Sequence, residues 1–232
     1  MPTVAFVNPK GGAGKTTAAL LLGLGLSEQG ARVALVDADP NRPLVHWASL
    51  PGKPDNVTVH PAPTEVDLPD ALREARARAD WVILDTEGSL RAGLAFAVAK
   101  PDLVLTPLAS SALEALQALK AADMVREASR KLRRPILHAC LFTRLPAAIR
   151  PRSLRQVVQM LKAKDIDILP TAIIEKEAFR TLFATGGGLA ALEREGVHGA
   201  ESAHVNAEGY VAAVKALLEG APEDVARRSI KL

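Results

Sequence analysis

The stretch NPKGGAGKTT, residues 8–17, joins a short apolar run, Thr3 to Val7, to a longer one, Ala18 to Leu26. A strand, a glycine-rich loop and a helix in that order leave few folds open. The glycines let the backbone curl so that its N–H groups point inward, and the start of the following helix adds partial positive charge, which together make a cradle for phosphate. Within Gly11, Gly12, Ala13, Gly14, Lys15, Thr16 and Thr17, Lys15 is placed to reach β- and γ-phosphates and the Thr16 hydroxyl to ligate Mg²⁺. The pattern G-x-x-x-x-G-K-[ST] is met except at its first glycine, where Pro9 stands. No G-x-G-x-x-G can be drawn here, which disfavours a dinucleotide loop. A second cation, Lys10, precedes the glycines and is redundant for a single phosphate cradle.

Apolar strand-like runs then alternate with helical patterns. Strands are predicted at 3–8, 32–37, 57–60, 81–85, 103–107, 136–142 and 168–173, and helices near 15–29, 69–79, 90–99, 111–132, 152–164, 175–184 and 206–219. Strands apolar on both faces, separated by helices, specify an α/β fold with a mostly parallel, twisted sheet flanked by helices on both faces. The Pro-rich stretch 51–63 comes too early to divide two viable domains, so residues 1–232 are expected to form a single domain. Cys140 is the only cysteine. An internal disulfide, a Cys-only zinc site and an iron–sulfur cluster within one chain are thereby excluded, and a reducing, cytoplasmic setting is favoured. No apolar stretch approaches the ~18 residues needed to span a bilayer, and no signal sequence opens the chain.

With its extra leading lysine, KGGAGKTT resembles the deviant Walker A motif of the ParA/MinD family of P-loop ATPases. Three further segments carry the likeness: VALVDADPNRPLVHW (33–47), DWVILDTEGSL (80–90) and PDLVLTPLASSALEAL (101–116). The resemblance covers residues 1 to about 130, and beyond that rests on the order of elements. It implies an ATP hydrolase using ATP and Mg²⁺. Asp37 and Asp39 follow the second strand at its C-terminal end, where open α/β sheets gather ligands. The resemblance implies that Asp37 organises the magnesium side and that Asp39 positions the attacking water. It also implies that Lys10 crosses the interface of an ATP-dependent homodimer to touch the partner's phosphates. Asp85 ends an apolar run, as an aspartate holding Mg²⁺ through a water does. Many members continue with D-T-P-P, whereas this chain reads Asp85-Thr86-Glu87-Gly88. That also fits D-x-x-G, in which the amide of Gly88 would sense the γ-phosphate. Glu87 is either a water-binding group or a solvated loop charge. The guanine-reading N-K-x-D motif occurs nowhere in the sequence, which favours ATP over GTP.

Between Arg126 and Lys164 the sequence places Arg126, Arg130, Lys131, Arg133, Arg134, Arg144, Arg150, Arg152, Arg155, Lys162 and Lys164 against Glu127 alone, although the formal net charge of the whole chain is only +3. Such clustering suits sequence-independent contacts to duplex phosphates. Arg150, Arg152 and Arg155, at a predicted helix start, are the first candidates for non-specific double-stranded DNA, with Arg180 by analogy to family members. The resemblance therefore implies a partition ATPase associated with the nucleoid and working with a ParB-like adaptor on a plasmid, chromosome locus or protein cargo. Two alternatives stand beside it. One is an accessory ATPase of conjugal DNA transfer, which DADPNRPLVHW also resembles. The other is a membrane-recruited MinD-like ATPase, to which the ending APEDVARRSIKL, poor in bulky apolar residues, lends little.

Overall fold

The computed structural model describes residues 1–87, 99–146 and 152–220, together with the backbone but not the side chain of Arg152. In chain order the elements are β1 (Thr3–Phe6), α1 (Lys15–Glu28), β2 (Val33–Ala38), α2 (Pro43–Ser49), β3 (Val57–Pro61), α3 (Leu68–Arg78), β4 (Trp81–Thr86) and β5 (Leu103–Leu108). There follow α4 (Ala112–Leu132), β6 (Leu137–Phe142), α5 (Arg152–Lys162), β7 (Asp167–Ile168), α6 (Glu177–Thr185), α7 (Leu189–Arg194) and α8 (Ala200–Leu218). The helix predicted near 90–99, Gly88 and Arg150 lie outside the described residues, apart from the end of that helix at Ala99.

The strands form one seven-stranded sheet in the order β3-β2-β4-β1-β5-β6-β7, and every pairing is parallel. Strict alternation sorts each central strand between two apolar layers. Val4 and Phe6 of β1, Val33 and Leu35 of β2 and Ile83 of β4 join the layer that contains α1 and α8. Ala5, Ala34, Val36, Val82 and Leu84 join the layer against α3. Burial on both faces is why these strands read as unbroken apolar runs.

Helix α1 is apolar all round, as a helix enclosed by other elements should be; Ala18 to Leu24 are buried at every position. It lies between the sheet and α8. A methyl group on Gly23 would meet Leu35 at 2.7 Å, and one on Gly25 would meet Val211 at 2.6 Å. Tyr210, fully buried, donates to the Ala18 carbonyl at 3.3 Å.

Two expectations need correction. The strand predicted at 168–173 is regular only at Asp167–Ile168. The chain beyond it touches β6 discontinuously, through Ile173 N–H to the Phe142 carbonyl at 2.8 Å. The last helix begins at Ala200 rather than near 206. Helix α2 lies outside the predicted helices; Pro43 at its first turn is compatible with a helix start, and Trp47 anchors it. That indole is fully buried and donates to the Gly187 carbonyl at 3.1 Å.

Candidate active site

The phosphate loop, Asp37, Asp39 and Asp85 gather at the C-terminal ends of β1, β2 and β4. The loop leaves β1 at Asn8, which is fully buried. Its amide donates to the Pro107 carbonyl at 2.6 Å, its Oδ1 accepts from the Lys10 N–H at 2.8 Å, and so the loop entrance is pinned to β5. Gly14, at φ 87°, caps α1 in the left-handed region that glycine enters without strain. Lys15 is buried, and its ammonium donates back to the carbonyls of Asn8 and Lys10, both at 3.3 Å. Burial pushes this ammonium down from its ordinary range, while the charges of Asp85, Asp39, Glu87 and Glu114 oppose that shift.

Parallel register sets Asp37 of β2 beside Asp85 of β4. Burial pushes the Asp37 carboxyl up, and the amides of Val45, Asp39 and Leu44 pull it back. Its Oδ2 accepts from Leu44 and Val45 at 2.8 and 3.0 Å, so part of its work is to cap α2. Asp39 is half-buried and holds Asn41 through both the backbone and side-chain nitrogens, at 2.8 and 3.0 Å. Asp85 is 1% exposed, and neither of its carboxylate oxygens has a hydrogen-bond partner among the described residues. Burial pushes its carboxyl up to about 7; the nearby Thr16 hydroxyl opposes the rise and Asp37 adds to it.

A buried carboxylate is costly unless it is paired with a cation. Orphaned oxygens on Asp85, with Thr16 beside them, therefore fit a hard divalent cation with oxygen ligands. Mg²⁺ takes few ligands from protein and fills the rest of its octahedron with phosphate oxygens and water. Thr16 and Asp85 are the residues that would hold it, with Asp37 behind them.

The loop opens into a cavity of about 740 Å³ lined by Gly12, Lys15, Thr16, Asp39 and Glu87 on its polar side, a volume usual for a cofactor site. The opposite wall was not foreseen. It comprises Ile174, Phe179 and Phe183, whose apolar surface suits a flat ring, and Arg144. Two residues just after β6 brace the loop from outside. The Thr143 hydroxyl donates to the Ala13 carbonyl at 2.8 Å, and Arg144 Nη1 donates to the Gly12 carbonyl at 2.7 Å. No local sequence signal marks either role, since both partners lie about 130 residues away.

Lys10 is not a solvated loop lysine. Its ammonium meets Glu114 Oε1 of α4 at 2.6 Å. Of the predicted DNA-contacting residues, Arg155 is exposed on α5, Arg150 and the Arg152 side chain lie outside the described residues, and Arg180 sits at the cavity. The Arg180 guanidinium is shared between Glu175 and Glu177, at 2.5 and 2.9 Å. The basic run is also less unopposed in space than in sequence. Arg126 pairs with Asp123, Lys131 with Glu127 and Arg134 with Asp102.

The parallel sheet, the left-handed glycine at the head of a buried helix, and the orphaned aspartate beside Thr16 define a P-loop protein of the ParA/MinD type. A model of the VirC1 protein family matches residues 1–219, and the chain belongs to that family. Protein ParA of Rhizobium radiobacter is 32% identical over 214 residues, covering 92% of this chain and 96% of that protein. Among solved structures, an ATP complex of a Cyanothece McdA variant superposes with a TM-score of 0.70 at 19% identity, covering 93% of this chain and 96% of the other. A MinD complex with Mg-ADP from Pyrococcus horikoshii gives a TM-score of 0.66 at 16% identity, covering 94% and 98%. These two likenesses establish the shared fold.

Proposed function

We propose that this chain is a ParA-type positioning ATPase that binds Mg²⁺ and ATP, forms a homodimer when ATP is bound, and coats duplex DNA without reading its sequence. The observation that carries this reading is the contrast between two lysines in one loop. The Lys15 side chain is buried within its own phosphate cradle, whereas that of Lys10 is 49% exposed at the rim, where a second copy can be reached. Thr16 and Asp85 would hold the cation, Lys15 and the loop amides of residues 11–17 the phosphates, and Asp39 the attacking water. Little else is required, because phosphoryl transfer depends mainly on positioning and charge neutralisation. Hydrolysis, stimulated by a ParB-like adaptor, would release the dimer from DNA and turn the cycle into movement of cargo. Likeness to a protein named ParA along nearly its whole length supports this reading.

A second reading, an accessory ATPase of conjugal DNA transfer, draws on DADPNRPLVHW, which lies inside the span matched by the VirC1 model. Membrane recruitment of the MinD kind would rest on the terminal APEDVARRSIKL, which is poor in bulky apolar residues. The test is a gel shift on several unrelated duplexes with and without ATP, using Lys15→Ala as control, alongside sedimentation with anionic liposomes. ATP-dependent retardation of every duplex, lost in Lys15→Ala, is expected. Retardation of one origin-like sequence alone favours the transfer reading, and sedimentation with liposomes in place of DNA binding overturns both.

A further inference from the structure

The Lys10 backbone is fixed from both sides. Its N–H donates to Asn8 Oδ1 at 2.8 Å, and its carbonyl accepts from Lys15 at 3.3 Å. Only the side chain, a flexible four-carbon arm with a compact charge, is left to move. That arm ends on Glu114, a residue 104 positions away whose side chain is 6% exposed. Glu114 occupies the first turn of α4, where its N–H is received by the Ser111 hydroxyl at 3.3 Å. Its other oxygen, Oε2, lies 3.5 Å from the Ala109 N–H, at the outer limit of a hydrogen bond. Lys10 is thus the one cation paired with this carboxylate among the described residues. Leu113 and Leu116 stand out into solvent on the same two turns, 58% and 49% exposed. Three residues apart on a helix, they share a face and form an apolar rim beside the ion pair.

We propose that Glu114 is a positioning residue for Lys10, holding its ammonium within its own subunit until a second ATP-loaded copy offers phosphates instead and covers the Leu113–Leu116 rim. The inference rests on the ATP-driven homodimer proposed above. One ammonium cannot stay on Glu114 and also reach across an interface. Withdrawing it leaves a nearly buried carboxylate without its countercharge, which is unfavourable. The cis pair therefore stabilises the monomer and sets a threshold for dimerisation. A twofold dimer opens the pair twice, so the effect on the dimer equilibrium is squared. A charged hydrogen bond to a buried partner corresponds to on the order of tenfold per subunit, and hence about a hundredfold in the dimer dissociation constant.

The experiment is sedimentation of the full chain across protein concentrations with Mg²⁺ and a slowly hydrolysed ATP analogue, comparing wild type with Glu114→Gln. Glutamine keeps the shape and removes the charge, and thermal melting verifies that the variant is folded. The expected result is dimerisation of Glu114→Gln at about a hundredfold lower concentration. Glu114→Asp, which withdraws the carboxylate by one methylene, should move the midpoint the same way by less, and it carries the test if the glutamine variant does not fold. An unchanged or higher midpoint in a folded variant, with wild type dimerising normally, overturns the latch alone. Wild-type protein that stays monomeric with the analogue overturns the dimer reading and the latch together.

Discussion

Thr143 offers the sharpest test of how the phosphate loop is held. Its hydroxyl donates to the Ala13 carbonyl at 2.8 Å, and both residues are buried, at 2% and 3% exposure. Valine reproduces the shape of threonine, and a Cβ built on Gly14 would lie 3.4 Å from the Thr143 side chain, so the two residues are close neighbours and an isosteric change leaves their packing intact. Thr143→Val deletes one buried hydrogen-bond donor, a loss of about 1–3 kcal/mol. For a chain of this size that lowers the melting midpoint by on the order of 5 °C. How much reaches the ligand depends on the loop. If it stays in place without the bond, free and bound protein suffer equally and affinity is unchanged. If the bond is what holds it, the ligand must order the loop again and affinity falls by up to the whole amount, roughly 5- to 150-fold. Arg144 is the only other side chain after β6 that bonds to this loop among the described residues, so the loop is expected to relax. Calorimetric titration with Mg-ADP, which needs only the monomer, should show at least a fivefold loss, restored by Thr143→Ser. An affinity within twofold of wild type would refute the bracing role, whatever the change in melting midpoint.

Asp39→Ala should still bind ATP and dimerise, while turnover falls on the order of 100-fold, the scale of a lost proton-handling or water-placing group; wild-type turnover in a phosphate-release assay would assign the water to another residue. Replacing Arg150, Arg152 and Arg155 together with alanine should flatten the salt dependence of DNA binding by roughly 0.9 per lost phosphate contact, measured by fluorescence anisotropy, and an unchanged slope would put DNA on another surface. His204 lies between Glu193 and Glu28, at 2.9 and 3.0 Å. Burial opposes its charge, but those carboxylates outweigh burial and raise its pKa above 6.5. A raised folded-state pKa gives stability that is complete below about 6.5 and lost as pH rises through the folded value. His204→Gln should accordingly cost up to about 1 kcal/mol at pH 6, after allowance for solvent screening, and almost nothing at pH 9, by urea denaturation.

The central sheet was legible because β1, β2, β4 and β5 are buried on both faces, so periodicity and composition agree. The loop was legible because its residues are contiguous. Helix α2 was missed because it is short and its supports lie outside it: the Asp37 carboxylate receives the Leu44 and Val45 amides, and the Trp47 indole is buried beneath the Gly187 carbonyl. The predicted last helix starts near 206, yet Ala200, Ala203 and Ala207 give α8 a small-residue face that packs into the core and carries the helix back to Ala200. The bracing residues Thr143 and Arg144, and the Lys10–Glu114 pair, join positions more than 100 residues apart. No periodicity can announce such contacts; only the strand order brings them together. The basic run shows the converse, since counting charges along the chain overlooked Asp123 and Asp102, which neutralise Arg126 and Arg134 in space.

Helix α1 begins at the phosphate cradle and is buried continuously from Ala18 to Leu24. A methyl at Gly23 or Gly25 would overlap its neighbours, so sliding or turning this helix by a small step would bring backbone into Leu35 and Val211. The cradle is thereby a fixed anvil, referenced to the sheet on one side and α8 on the other. Any adjustment to an incoming ligand falls instead to walls that are not rooted in α1: the Asp39–Asn41 turn, and the stretch from Glu175 to Phe183 across the cavity. A site built this way holds its ligand against a stationary surface, and the freedom to fit it is left to the walls that face outward.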